Sequence, residues 1–128
     1  MVAFRTVFQG LAHAGGESRA ELLLLRDDAG WQALWTRLNR GINPAPAPPE
    51  VDWRAELVVA LAVGRRGAMG YEVTIDRLVL DGGELVVEVH EDSPQGVVAL
   101  QAITEPVHIV AVPAADIPSD VILVQRAP

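Results

Sequence analysis

Two arginines in a glycine-rich segment are the residues of this chain best suited to binding chemistry. The segment spans residues 64–71 and reads G-R-R-G-A-M-G-Y, between two apolar runs typical of β-strands. The guanidinium groups of Arg65 and Arg66 can each hold a carboxylate or a phosphate through two hydrogen bonds. Glycines at every third position permit close approach of backbone amides to an anion. Because the segment leads into a strand rather than a helix, and the chain has no lysine, the sequence argues against a nucleotide-binding loop.

The 64–71 segment has two interpretations, and the sequence leaves both open. In the first, it is a plain connection between strands, whose glycines adopt positive φ angles and whose arginines are solvated. In the second, it is a recognition loop on a rigid sheet, with Arg65, Arg66, Gly70 and Tyr71 as the partner-binding residues. Because Tyr71 begins a predicted strand on its apolar face, its ring is expected to fill the core beneath the loop.

Histidines and carboxylates offer few candidates for catalysis or metal binding. Ser93 follows His90 closely, but a nucleophile and base also require an orienting group and an oxyanion site, so no catalytic residue and no cofactor are predicted. Glu88 and His90 fall on one face of a predicted strand. They form a weak candidate site for a divalent metal if His108 also comes close. The competing interpretation is an acidic, solvated strand end, with His108 as a hydrogen-bonded strand residue.

Composition excludes several classes of protein. Cysteine is absent, which removes disulfides, thiolate metal ligands and a thiol nucleophile. All ten basic residues are arginine, which removes Schiff-base and P-loop lysines. A net charge of −7 disfavours nucleic acids and anionic lipids as partners. No apolar run approaches the roughly 18 residues that span a bilayer. We expect a cytoplasmic protein, and export as an excised mature domain is left open.

The 128 residues, half of them apolar, predict a single domain over residues 1–128. Its helix is expected to begin at Asp28 as N-cap and to end before a left-handed Gly41. Between them, four residues at helical spacing form one apolar face, interpreted as core: Trp31, Leu34, Trp35 and Leu38. The proline-rich residues 43–50 follow, read either as a stiff connection or as a groove-binding ligand through Pro46 and Pro49.

Alternating apolar residues predict strands through most of the remaining chain. The expected ranges are 2–8, 21–26, 57–63, 71–80, 85–89, 98–103, 107–112 and 121–124. The uninterrupted apolar run at 57–63 predicts a strand buried on both faces near the middle of a sheet. A change of phase near Arg77 predicts a β-bulge, and Asp81-Gly82-Gly83 predicts a tight turn. Strands 57–63, 71–80 and 85–89 are expected to form an antiparallel meander.

These elements predict an α+β domain of mainly antiparallel strands with one amphipathic helix. A strongly curved sheet, a small sandwich and a small barrel are all compatible with the pattern. Strand edges in such a domain can pair between molecules, so homo-oligomerisation is left open.

Several motifs resemble the C-terminal domain of the protease complex subunit PrcB family. In that family the central segment reads Gly-x-Arg-Pro-Thr-Gly-Gly-Tyr. Four positions of the present chain match it, namely Gly64, Arg66, Gly70 and Tyr71, whereas Gly67, Ala68 and Met69 replace the proline, threonine and first glycine. Asp52-Trp53, Ser93-Pro94 and Thr104-Glu105-Pro106 extend the resemblance, which covers roughly residues 20–113.

The resemblance implies a non-catalytic role in binding a protein partner, because PrcB-type subunits are associated with the assembly or activity of a surface protease. Members can be exported or lipid-anchored. The primary prediction is therefore a protein-interaction module that presents the 64–71 segment to a protease or another protein. The alternative is a β domain that binds a small ligand or a divalent metal through His90 and Glu88.

Overall fold

The computed structural model describes residues 1–15, 19–94 and 101–127, with only the backbone of residue 101, and these residues form nine strands, one α-helix and one 3₁₀ turn. The strands are β1 (Arg5–Leu11), β2 (Ala20–Leu25), β3 (Glu56–Val63), β4 (Arg66–Ala68), β5 (Glu72–Asp81), β6 (Glu84–Asp92), β7 (Gln101–Thr104), β8 (Pro106–Pro113) and β9 (Ile122–Arg126). Helix α1 spans Asp28–Leu38, and the 3₁₀ turn spans Ala114–Asp116. The predicted class, mainly antiparallel with one helix, is confirmed. Residues 98–100 of one predicted strand lie outside the described ranges.

The strands form two larger sheets and a short ribbon. The first sheet has the order β1-β8-β3-β2, and the second has the order β5-β6-β9. Strands β4 and β7 pair with each other as a separate two-stranded ribbon. The pairs are antiparallel except for β6 with β9, which is parallel. The described strands do not close into a barrel, which removes one of the three predicted forms.

Side-chain alternation on β3 and β8 creates a core on each face of the first sheet. Leu57, Val59 and Leu61 face the second sheet, whereas Val58 and Ala60 face helix α1. Burying every residue of a strand in this way requires cover on both faces, as predicted for residues 57–63. The molecule therefore has three layers, with the helix, the first sheet and the second sheet in that order.

The predicted meander is wrong, although its parts are correct. Strands β5 and β6 form a hairpin whose register shifts between Ile75 and Arg77, which confirms the predicted bulge. Gly82 and Gly83 connect them with φ angles of 58° and 89°, as a tight two-residue hairpin turn requires. Strand β3, however, pairs with β2 and β8 in the other sheet, because the chain crosses between layers after residue 63.

Helix α1 begins one residue earlier than predicted. Asp27 is the N-cap, with an extended backbone and a carboxylate that accepts from the Gly30 amide at 2.8 Å. Asp28 already belongs to the first helical turn, where its carboxylate accepts from the Trp53 indole instead. The predicted apolar face is buried as expected.

The predicted left-handed Gly41 is also wrong. Asn39 is the C-cap, and Gly41 does not have a positive φ angle. Glycine is needed here for a close approach of two backbone segments, because an added Cβ would lie 2.8 Å from the carbonyl oxygen of His13. Among the described residues, no helix is both long and apolar enough to cross a membrane.

Candidate functional site

The 64–71 segment contains a short strand rather than only a loop. Arg66 pairs with Thr104 and Ala68 pairs with Gln101 in the β4–β7 ribbon. The register shift between these pairs leaves Ala102 and Ile103 together opposite Gly67. Because successive side chains of a strand point to opposite sides, the ribbon has an inner face and an outer face.

The inner face of the ribbon is formed by Arg66, Ala68 and Thr104. Arg66 and Ala68 are half-buried and Thr104 is buried. The Thr104 hydroxyl donates to the Ala68 carbonyl at 2.9 Å, so the two strands are also joined by a side chain. This hydrogen bond therefore stabilises the pairing of the two strands within the ribbon.

Arg66 is fully engaged within the protein. Its Nε and Nη2 donate to the two carboxylate oxygens of Glu91, at 2.6 and 2.8 Å. Its Nη1 donates to the carbonyls of Val63 and Arg65, both at 3.0 Å. The hydrogen bonds to Glu91 raise the pKa of the Arg66 guanidinium above its ordinary value. Arg66 therefore positions the segment, and its role in contacting a partner stays a prediction.

Tyr71 lies differently from the sequence-based expectation. It precedes β5, which begins at Glu72, and its ring is half-buried. The Arg66 guanidinium lies 6.0 Å from the ring centroid, at the outer limit of a cation–π contact. The ring thus supports Arg66 at the base of the ribbon rather than filling the core between the sheets. The prediction from side-chain alternation was wrong here because Tyr71 stands just before the strand begins.

Two glycines shape the ends of the segment. Gly64 and Gly70 have φ angles of 85° and 98°, which other residues rarely adopt. At Gly70 an added Cβ would also lie 3.0 Å from the Pro94 side chain. The predicted importance of Gly70 therefore has a conformational basis.

The outer face of the ribbon is exposed and mostly apolar. Gly67 and Ile103 lie on it, and Arg65 and Met69, which flank β4 in the chain, are exposed as well. Ile103 is 65% exposed and Met69 is 40% exposed, which is unusual for such side chains in a domain with two well-packed cores. The sequence analysis missed Met69 and Ile103. A signal was available, since both are large apolar residues next to the segment already selected.

An open cavity of about 300 Å³ adjoins the outer face. Ile103 contributes to its lining, together with Ala12, His13, Gly15, Gly41 and Glu105. The Glu105 carboxylate accepts from the Ala14 amide at 2.9 Å, so one wall is fixed by a buried hydrogen bond. The cavity extends the exposed apolar surface into a depression that a partner's side chain could enter.

Glu88, a candidate metal ligand, is engaged by two arginines. Its carboxylate accepts from Arg77 at 3.1 and 2.8 Å and from Arg126 at 2.9 Å. The hydrogen bonds from Arg77 and Arg126 lower the pKa of Glu88 from 4.5 to about 2. A carboxylate that already neutralises two cations has little capacity left for a metal ion.

The two candidate histidines are engaged separately. His90 Nδ1 lies 2.7 Å from Asp76, and its Nε2 lies 3.4 Å from Asp92. The hydrogen bond to Asp76 raises the pKa of His90 above its ordinary value. His108 contacts Thr6 and the Ile75 amide instead. Among the described residues, no three His, Asp or Glu side chains are grouped to hold a metal ion.

A second cleft, of about 530 Å³, lies between helix α1 and the proline-rich residues 43–50. Its only basic lining residue, Arg5, is held by Glu56 at 2.7 and 2.8 Å. The indole N–H groups of Trp31 and Trp35 donate to the carbonyls of Pro49 and Pro46, at 3.0 and 2.8 Å. The carbonyls of Pro46 and Pro49 thus satisfy the indole N–H groups of the two buried tryptophans.

The comparisons with known proteins identify one family. No curated protein and no solved structure matches the chain. Residues 57–113 match the family model described as PrcB C-terminal, a segment from β3 through β8 that includes the whole β4–β7 ribbon. This range is shorter than the predicted resemblance, which began near residue 20. The predicted resemblance is confirmed over these residues, which are similar to a PrcB C-terminal domain.

Proposed function

We propose that this domain is a non-catalytic protein-interaction module, acting as an accessory or assembly part of a protease complex. The outer face of the β4–β7 ribbon is its binding surface. The observation that carries the proposal is the difference in exposure at the ribbon. Arg65, Met69 and Ile103 are exposed, whereas Arg66 is half-buried and Thr104 is buried.

The ribbon has the rigidity that a binding surface needs. The two-point contact between Arg66 and Glu91 anchors it to β6, and the Thr104 hydroxyl joins its strands. A surface that is ordered before binding loses less conformational freedom when a partner arrives. Most of the free energy gained when a partner buries the exposed apolar side chains can therefore contribute to affinity.

The side chains of the outer face define the chemistry of the partner. Met69 and Ile103 favour an apolar contact, and the adjacent cavity favours a side chain that can enter it. Arg65 is an exposed cation in a chain with a net charge of −7. It favours a carboxylate beside the apolar contact, which it can hold through two hydrogen bonds.

The choice of a protease complex rests on the family. The matched residues 57–113 include every residue of the proposed surface. The resemblance to PrcB-type subunits suggests a domain associated with a protease complex. The ribbon would then serve as the contact through which the domain joins its protease.

The proposal is tested by capture with matched variants. The triple variant Arg65→Ala/Met69→Ala/Ile103→Ala removes the outer face, and Gly67→Glu places a charged side chain in its centre. In the described part of the chain no atom lies within 4 Å of a Cβ added at Gly67, so we expect this variant to fold. Immobilised wild type and variants are compared for proteins retained from a lysate of the source organism, identified by mass spectrometry.

The control is Arg54→Ala/Ile122→Ala, which removes an exposed arginine and an exposed isoleucine away from the ribbon. We expect wild type and control to retain a protease or a defined complex, and both ribbon variants to lose at least about tenfold of it, as for a binding hot spot. Equal retention by all folded proteins would exclude this surface.

A further inference from the structure

One side of the sandwich is closed by hydrogen bonds that do not form a regular strand pairing. The edge strand β1 of the first sheet lies beside the edge strand β5 of the second. The Val2 amide donates to the Leu78 carbonyl at 2.8 Å, and Gln9 Nε2 donates to the Val73 carbonyl at 3.0 Å. Between these contacts, the Ile75 amide donates to Nδ1 of His108 at 2.8 Å. These three hydrogen bonds are referred to here as the seam.

His108 occupies the central position of the seam. It lies on β8 with only 2% of its surface exposed, and its ring faces the second sheet. Because Nδ1 accepts from a backbone amide, it carries no proton. The remaining nitrogen, Nε2, therefore carries the proton and donates to the Thr6 hydroxyl at 2.9 Å. A neutral ring satisfies both contacts, whereas a doubly protonated ring cannot accept from Ile75.

The surroundings of the ring favour the neutral form. Its cross-strand neighbours are Leu61 on β3 and Gln9 on β1, and neither is charged. From β5, the carboxylate of Asp76 acts on the ring, but it is hydrogen-bonded to His90 on β6. Burial lowers the pKa of His108, and the charge of Asp76 opposes this effect only in part.

We propose that His108 controls the seam through its protonation state. The neutral ring holds β1 against β5, and the ring releases β5 when Nδ1 gains a proton. The added proton faces the Ile75 N–H, so two donors meet and the amide loses its hydrogen bond to the ring. A charged ring also cannot remain between apolar layers without cost, so it moves toward water.

Release of the seam uncovers a strand edge. β5 pairs with β6 on one side, and its other side is covered by the seam. Once Ile75 and its neighbours lose these contacts, their backbone groups can pair with another strand. Acidification therefore changes which surface of the domain is available for β-sheet pairing, without changing the β4–β7 ribbon itself.

The test follows the ring and one amide in the same sample. The double variant His13→Asn/His90→Asn leaves His108 as the only histidine and changes two exposed or partly exposed side chains. In this protein, the ring nitrogens and the hydrogen-exchange protection of the Ile75 and Val59 amides are measured by NMR from pH 7.5 to 5. Val59 is fully buried on β3 and reports global unfolding.

We expect the proton on Nε2 at pH 7.5 and a titration midpoint below 6.5. Protection of Ile75 should fall roughly tenfold or more as the ring titrates, the effect of losing one buried hydrogen bond. Val59 should keep its protection. Adding His108→Gln, which does not titrate, should remove the pH dependence at Ile75. If that variant does not fold, the proposal is supported when the protection of the Ile75 amide falls over the same pH range in which the ring titrates.

Three results would overturn the proposal. Protection of Ile75 could stay constant while the ring titrates, which would mean that the ring does not hold the seam. Ile75 and Val59 could lose protection together, which would mean global unfolding. The pH dependence could persist in a folded His108→Gln variant, which would assign it to another group.

Discussion

Several charged side chains of this domain form salt bridges with residues that lie far away in the sequence. Arg66 is held by Glu91, and Glu88 is held by Arg77 and Arg126. Arg66 and Glu88 were candidates for binding something outside the protein when only their types and positions were known. Their observed role is to fix strands relative to one another, which leaves Arg65 as the exposed cation of the segment.

At this scale we predict that Glu88→Gln destabilises the domain in a pH-dependent way. The pKa of Glu88 is lowered in the folded state, so its stabilisation is complete above its ordinary value of 4.5 and is lost as the pH falls toward about 2. Urea unfolding should therefore show a less stable variant at pH 7, and a difference that shrinks between pH 4.5 and 2.5.

Glu84→Gln is the matched control, since Glu84 is exposed at the start of the same strand. It should unfold like wild type at pH 7. A constant difference between wild type and Glu88→Gln over the whole pH range would show that Glu88 contributes through packing rather than through charge.

At the scale of the element, the β4–β7 ribbon depends on its glycines in unequal ways. Gly70 needs its positive φ and its contact with Pro94, whereas Gly67 needs neither. The absent side chain at Gly67 instead leaves Ile103 uncovered on the outer face. Glycines that look equivalent in the sequence thus have separate functions, one conformational and one in exposing a surface.

We predict that Gly70→Ala lowers the free energy of unfolding by about 1–3 kcal/mol, the usual cost of a strained backbone conformation. Gly67→Ala, as the control at the same ribbon, should change it by less than about 0.5 kcal/mol. Chemical denaturation of both variants measures the difference. Equal stabilities would show that the segment adapts to a side chain at residue 70 without strain.

At the scale of the whole molecule, the first sheet is shared between two cores. Strands β3 and β8 contribute alternate residues to the core beneath the helix and to the core between the sheets. Neither core can be lost without exposing one face of the same strands. This arrangement joins the three layers through shared strands, and the single domain over residues 1–128 stays a prediction.

We predict that the layers unfold in one transition. Trp31, Trp35 and Trp53 all pack in the core beneath the helix, so tryptophan fluorescence reports that layer, whereas far-ultraviolet circular dichroism reports all strands. The two urea curves should coincide. Val87→Ala, confined to the other core, should shift both curves equally by about 2 kcal/mol. Separate transitions would mean that the layers are independent.

Features that depend on neighbours along the chain were predictable. The apolar face of α1, the bulge near Arg77 and the turn at Gly82 and Gly83 follow from local periodicity and from the φ angles that glycine allows. The helix ends were misplaced because Asp27 and Asp28 are equally good caps by type. The Trp53 indole, 25 residues away in the chain, donates to the Asp28 carboxylate, which leaves Asp27 as the cap.

The sequence by itself determined the class of the domain, its single helix, its buried strands and the segment to inspect for function. These depend on residue type and on periods of two or 3.6 residues, which act over a few positions. The tertiary structure alone decided which strands pair, which arginine of the segment is exposed, and that Met69 and Ile103 are exposed at the same ribbon. The physical reason is that a three-residue strand is too short to show its own alternation. Its orientation is set by Glu91 and β7, which only folding brings to its side.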